Sequence, residues 1–252
     1  MINRVFRRIL RGLGFLAEDK SEFAKFVALT KRHPSDKWAT HNYTSKYFQH
    51  FQPLRTREDL GFLEIGVGGY ENDETGYANP SLGGESLRFW RDYFPTATIF
   101  GIDIQDKSRL QEDRIVIFRG SQVDENFLRN VVKRIGALDI VIDDGSHINS
   151  HVIKTFKFLF PLLNYGGIYV IEDTQTSYWA GDYEGDSENF DNKETIMGFF
   201  KSLVDGLNHA EFEKREYCPT YLDRHIVSIQ FYHNLIFVVK GTNDCPSNRK
   251  RE

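Results

Sequence analysis

Asp139-Ile-Val-Ile-Asp-Asp-Gly-Ser-His147 decides how this chain folds. Ile140 to Ile142 is an apolar run short enough for a buried strand. It stops at two adjacent carboxylates, a glycine, a serine and a histidine. A parallel strand ending this way sets acid groups and an imidazole at the carboxyl edge of a sheet, where open α/β folds bind ligands. Gly167-Ile-Tyr-Val-Ile-Glu-Asp173 is a second edge of the same kind. With the two strands as neighbours, Asp143, Asp144, His147, Glu172 and Asp173 converge on one crevice. Four carboxylates and one imidazole there suit a hard divalent cation with a general base beside it.

Working outward, strands alternate with helices. Strands are predicted over 62–65, 98–104, 114–118, 139–143 and 167–172. Helices are predicted over 85–93, 124–135 and 150–163, the second turning Phe127, Leu128, Val131, Val132 and Ile135 inward. Such alternation predicts a parallel, doubly wound, Rossmann-like α/β sheet. A long aromatic loop over 174–192 and a helix over 195–207 follow. The chain then reads Ile226 to Tyr232 and Leu235 to Val239 as two strands separated only by His233-Asn234. A connection that short allows only an antiparallel hairpin, which brings the sheet to seven strands.

The N-terminal third differs. Arg4, Arg7, Arg8 and Arg11 alternate with apolar residues at helical spacing, a basic amphipathic segment without a signal-peptide cleavage site. It is expected to pack on a second subunit or on the domain, with peripheral membrane contact as the alternative. A helix over 21–32 stops before Pro34. The stretch 35–47, polar but dense in aromatics, reads as a lid or pocket wall. The expected organisation is a helical arm and lid over 1–55, a sheet domain over 56–241 and a polar tail over 242–252.

The chain has 252 residues, 40% hydrophobic and 27% charged, which fits one sizeable globular domain with extensions. A net charge of −4 gives no footprint for nucleic acid. Cys218 and Cys245 make no disulfide framework, so a reducing, cytoplasmic setting is expected. No apolar run approaches the roughly 18 residues of a membrane span.

Glu64-Ile-Gly-Val-Gly-Gly69 follows the first strand. Glycines there let a loop approach a ligand closely. A dinucleotide, a methyl donor or a tight turn would each use them. The spacing lacks the third glycine of a pyrophosphate-binding helix start. Asp103, ending the second strand, is placed to accept from both hydroxyls of a ribose, and the pair of features fits an adenosine ligand.

Taken together, Leu63-Glu-Ile-Gly-Val-Gly-Gly-Tyr70, the strand-two acid, Asp143-Asp-Gly-Ser-His147, Glu172-Asp173 and the terminal hairpin resemble class I S-adenosylmethionine methyltransferases. More closely, the chain resembles the metal-dependent sugar O-methyltransferases of macrolide biosynthesis, of mycinamicin and macrocin type, with cephalosporin-hydroxylase-like relatives. Ser35-Asp-Lys-Trp38, His41-Asn-Tyr-Thr44, Gly83-Gly-Glu-Ser-Leu-Arg-Phe-Trp90 and Ser228-Ile-Gln-Phe-Tyr-His-Asn-Leu-Ile-Phe-Val-Val-Lys-Gly241 also look like that family. The likeness covers roughly residues 34–241.

That resemblance implies a magnesium-dependent O-methyltransferase acting on a sugar hydroxyl, free, nucleotide-linked or in a glycoside; a homo-oligomer is expected separately, from the apolar side chains of residues 1–30, more than a lone arm can bury. The resemblance implies S-adenosylmethionine binding by Glu64, Gly66, Gly68, Tyr70, Asp103, Ser121, Gln122 and Asp143. It implies metal binding by Asp144, Glu172 and Asp173, and catalysis by His147 with Asp144. His41, Tyr43, Tyr178 and Trp179 are candidates to wall the acceptor. In catechol-type methyltransferases, similar in layout, a lysine stands where His147 does and an Asp-Asn pair where Asp173-Thr174 does. The difference leaves open which of Glu172 and Asp173 holds metal, and whether Asp143 binds donor or metal. A nicotinamide-dependent oxidoreductase and a hydroxylase-like or polyphenol-directed relative are the competing readings.

Overall fold

The computed structural model describes residues 17–69, 83–214 and 216–249. The basic segment over 1–16 and the donor-site expectation at Tyr70 lie outside them. Five strands run parallel: β1 (Gly61–Ile65), β2 (Thr98–Asp103), β3 (Ile115–Arg119), β4 (Ile140–Asp143) and β5 (Ile168–Glu172). β6 (Ile226–Tyr232) and β7 (Leu235–Lys240) close the seven-stranded sheet as an antiparallel hairpin, in the order β3-β2-β1-β4-β5-β7-β6. Asn234 takes the left-handed conformation in the two-residue turn, at φ 57°.

The central strands are buried along their whole length, which is why they read as continuous apolar runs rather than alternating ones. Leu63, Val141, Tyr169, Ile171 and Val238 meet Phe156 and Leu159 of helix α5 (Asn149–Leu159) in the core. The helix α4 (Glu125–Ile135) opens on Asp124, whose carboxylate accepts from the Asn126 and Phe127 amides and so satisfies donors the first turn leaves over. Asp139, fully buried at the foot of β4, accepts from the Gly61 amide and the Asn164 side chain and thereby fixes β4 against β1.

Two helices are shorter than their periodicity suggests. α5 ends at Leu159, and a 3₁₀ turn over Phe160–Leu162 carries Pro161, which has no amide to continue the ladder. α6 (Ile196–Ser202) stops short, and 3₁₀ turns over Asp205–Glu211 follow, with Asn208 outside helical geometry. Between β5 and α6 the aromatic loop holds 3₁₀ turns at Thr174–Tyr178 and Gly181–Tyr183. α7 (Tyr221–His225), opened by a Thr220–Asp223 capping box, leads into β6.

Among the described residues, 17–59, 68–69 and 83–97 form a second compact unit. Its helices are α1 (Ala17–Arg32), α2 (Thr44–Phe51) and α3 (Glu85–Tyr93). Phe26 packs edge-on against Phe48, Phe89 and Tyr93 at 5.5, 4.9 and 4.7 Å, an arrangement aromatic quadrupoles favour. His33 Nε2 lies 2.8 Å from Asp92 Oδ2 and ties α1 to α3. Among the described residues no helix is long and apolar enough to cross a membrane.

Candidate functional site

The register sets Ile65, Asp143 and Ile171 side by side at the ends of β1, β4 and β5. Beyond them the Asp144 amide donates to the Ile65 carbonyl at 2.9 Å, and the Gly66 amide to the Ile102 carbonyl at 2.8 Å. Gly66 has φ 91°, and a Cβ there would stand 1.9 Å from the Asp144 carbonyl oxygen. Only glycine lets the β1 loop turn this close to the β4 loop.

Asp143 and Asp144 part at this edge. Asp143 is 1% exposed; Gln122 Nε2 donates to its Oδ1 at 3.1 Å and the Tyr169 hydroxyl to its Oδ2 at 3.1 Å. Burial pushes its carboxyl up to about 6, against the pull of His147 and of those two hydrogen bonds. Gln122, also buried, donates further to Thr155 Oγ1 and accepts from the Ser146 amide at 2.8 Å. A Cβ at Gly145 would strike that same Gln122 oxygen at 2.2 Å. Both residues, expected at the donor, are engaged with one another inside the fold.

Asp144, His147 and Asp173 come together instead. One ligand atom from each lies within 4.8 Å of the others. His147 Nε2 is 3.8 Å from Asp144 Oδ1 and 3.8 Å from Asp173 Oδ2, too far to be hydrogen-bonded to either. All three side chains are about one-fifth exposed, accessible yet shielded. His147 and Asp173 both sit in the left-handed region, at φ 56° and 52°. Non-glycine residues hold that conformation only where their surroundings over-determine it, a pattern concentrated at functional sites. His147 Nδ1 is buried without a hydrogen-bond partner, so nothing among the described residues fixes its tautomer. Two carboxylate oxygens and an imidazole nitrogen at this spacing fit a divalent cation. Glu172, 2% exposed, is not in the trio.

The other expected residues are spread more widely. Asp103 accepts from the Val67 amide at 3.0 Å and the Gln105 amide at 2.8 Å, and its carboxylate keeps lone pairs for further donors. Ser121 accepts from the Val123 amide. Glu64 is fully buried in β1, and Gly68, at φ 70°, has no described residue within 4 Å of where a Cβ would stand. His41 stacks on buried Tyr43 at 5.2 Å within the helical unit, and the 35–47 segment, expected as a pocket wall, contributes Tyr43 and Tyr47 to that unit's core. Tyr178 and Trp179 are 40% and 48% exposed, resting edge-on against Phe190 and Tyr183.

Asn149 is a residue that sequence reasoning missed. It is fully buried, and its side chain bonds the backbone of Thr176, Tyr183 and Ile196. An asparagine before a helix reads as its cap. No local signal announces that its partners lie 27 to 47 residues away.

A five-strand parallel sheet closed by the β6-β7 hairpin, with an acid at the end of β2 and an acid-imidazole group at the ends of β4 and β5, is the class I methyltransferase fold. No protein-family model matches the chain. It is 46% identical over 228 residues to the 8-demethyl-8-alpha-L-rhamnosyl tetracenomycin-C 2'-O-methyltransferase of Streptomyces olivaceus, covering 90% of this chain and 57% of that protein. It is 42% identical over 238 residues to the mycinamicin VI 2''-O-methyltransferase of Micromonospora griseorubida, covering 94% and 56%. Among solved structures it matches MycE, the mycinamycin-pathway methyltransferase in complex with Mg and SAH, at a TM-score of 0.80 and 42% identity, covering 89% of this chain and 56% of that one. A further MycE structure also holds mycinamycin VI. The chain spans little more than half the length of these relatives.

Proposed function

We propose that this chain is an S-adenosylmethionine-dependent, magnesium-dependent O-methyltransferase that methylates a sugar hydroxyl of a glycosylated natural product, a nucleotide sugar or a polysaccharide. The observation that carries it is the Asp144, His147 and Asp173 trio at the ends of β4 and β5. Its support is the likeness to a structure that holds Mg, SAH and mycinamycin VI.

In this reading Asp144 and Asp173 hold magnesium, since their hard oxygens suit it better than an imidazole nitrogen does. Magnesium, when bound, lowers the pKa of a coordinated hydroxyl and so supplies the acidity an alcohol lacks. His147 Nε2 takes the hydroxyl proton as the acceptor oxygen bonds to the methyl carbon and the carbon–sulfur bond of the donor breaks, its electron pair returning to sulfur to leave S-adenosylhomocysteine. Asp103 accepts from the donor's ribose hydroxyls while the Gly66 turn brings backbone close to the donor. Exposed Tyr178 and Trp179 offer apolar faces to an acceptor.

Calorimetry with S-adenosylhomocysteine tests the reading. Saturable binding that Asp103→Ala weakens is expected. Absence of binding by the wild type, or turnover of a nicotinamide cofactor seen by absorbance, would overturn it.

A further inference from the structure

We propose that Asn149 is a positioning residue that locks the loop bearing His147 to the loop bearing Asp173; the inference rests on the function proposed above. Asn149 follows His147 by two positions and opens α5. Its amide has two donors and one acceptor oxygen, and all are engaged. Nδ2 donates to the Thr176 carbonyl at 3.0 Å and the Tyr183 carbonyl at 2.6 Å. Oδ1 accepts from the Ile196 amide at 2.5 Å. Those three residues span the aromatic loop from its first turn to the start of α6.

The first of these bonds reaches the trio. The Thr176 amide and hydroxyl both donate to the Asp173 carbonyl, at 3.3 and 3.2 Å. A continuous path therefore runs from Asn149 through Thr176 to the backbone of Asp173. Neighbouring bonds run parallel to it: the Ser150 amide donates to Glu184 Oε2 at 3.0 Å, and the Met197 amide to Ser177 Oγ at 3.0 Å. His147 and Asp173 each hold a left-handed backbone that relaxes unless its surroundings enforce it. Asn149 is the side chain that ties both turns together. The same bonds fix the loop that carries Tyr178 and Trp179.

A cap alone would bond the first-turn amides of its own helix. Asn149 bonds none of them and spends its capacity on the other loop. Its loss should therefore disturb the relation of His147 to Asp173 and leave the donor edge at Gly66 and Asp103 as it is.

The test uses the full chain with Asn149→Asp, which keeps size and acceptor oxygen but loses both amide donors, and with Asn149→Ala. Amide hydrogen exchange over 174–196 should quicken while β4 and β5 stay protected. The kcat for methyl transfer should fall by up to about 10²-fold, the scale of a misplacement near 1 Å. Affinity for S-adenosylhomocysteine should stay within a few-fold. Unchanged exchange overturns the inference. So does an unchanged kcat, or donor affinity and melting temperature falling in step with kcat. Should the wild type methylate no sugar, the function proposed above fails. Exchange, and the magnesium affinity of the variants against wild type, then still decide whether Asn149 holds the two turns.

Discussion

Asp143 and Asp144, adjacent in the chain, part at the edge of the sheet: Asp143 is sealed against Gln122 and Tyr169, while Asp144 stands 3.8 Å from the His147 imidazole. Two neighbouring carboxylates at a sheet edge thus do different work, one inside the fold and one at the site.

That division is measurable. Asp143→Ala leaves one Gln122 N–H and the Tyr169 hydroxyl without their acceptor, while Gln122 keeps its bond to Thr155, at a cost of about 1–3 kcal/mol for each orphaned donor. Asp144→Ala, at a partly exposed position, should change stability by no more than about 0.5 kcal/mol. It should instead abolish magnesium binding in a calorimetric titration. A large loss of stability in Asp144→Ala with metal binding intact would reverse the assignment.

His147→Ala should keep S-adenosylhomocysteine affinity within a few-fold while kcat falls by about 10²–10⁴. Steady-state kinetics on a well-folded variant decides it. A kcat near wild type would place the base elsewhere, with His151, whose Nδ1 lies 3.1 Å from Ser146 Oγ, next in line.

The turn after β1 predicts a contrast between two glycines. Gly66→Ala drives a methyl group to 1.9 Å from the Asp144 carbonyl, so the β1 and β4 loops must separate, and the variant should melt well below wild type. Gly68→Ala meets nothing within 4 Å among the described residues and bears the strain of φ 70°, about 1 kcal/mol. Equal melting temperatures for the two variants would refute the packing at Gly66.

His50 sets an acid-side dependence. Burial, with Lys46 adding, pulls its imidazole from 6.5 down to about 4. Between those values the unfolded chain takes up a proton that the folded one refuses, so His50 makes stability rise with pH. Asp143, pushed up, acts with the opposite sign over an overlapping range. The His50 share therefore appears in the difference between wild type and His50→Gln. Wild type should lose ground to the variant as pH falls from 6.5 toward 4. A constant difference would contradict it.

Most of the sheet was legible because its signals are local. Apolar runs ending in acids mark β2, β4 and β5, and His233-Asn234 leaves the last two strands no choice but a hairpin. Asp144, His147 and Asp173 were legible as a group because two neighbouring parallel strands end together. The roles of Asp143 and Gln122 were not. A strand ending at Asp143 gives no sequence cue to whether that carboxylate or the next one, Asp144, faces inward, and Gln122 meets Asp143 across 21 residues. Asn149 was hidden for the same reason. The packing of the 35–47 segment was not legible because aromatics among polar residues suit a pocket wall and a helix-packed core alike; Tyr43 and Tyr47 are buried in the core of the helical unit.

The most direct measurement of the central claim is methyl transfer from labelled S-adenosylmethionine to a panel of glycosylated natural products, nucleotide sugars and polysaccharides, read by product mass with and without exhaustive chelation. The account predicts a singly methylated sugar, no product in chelator and recovery on adding magnesium. Product formed undiminished in chelator would contradict it.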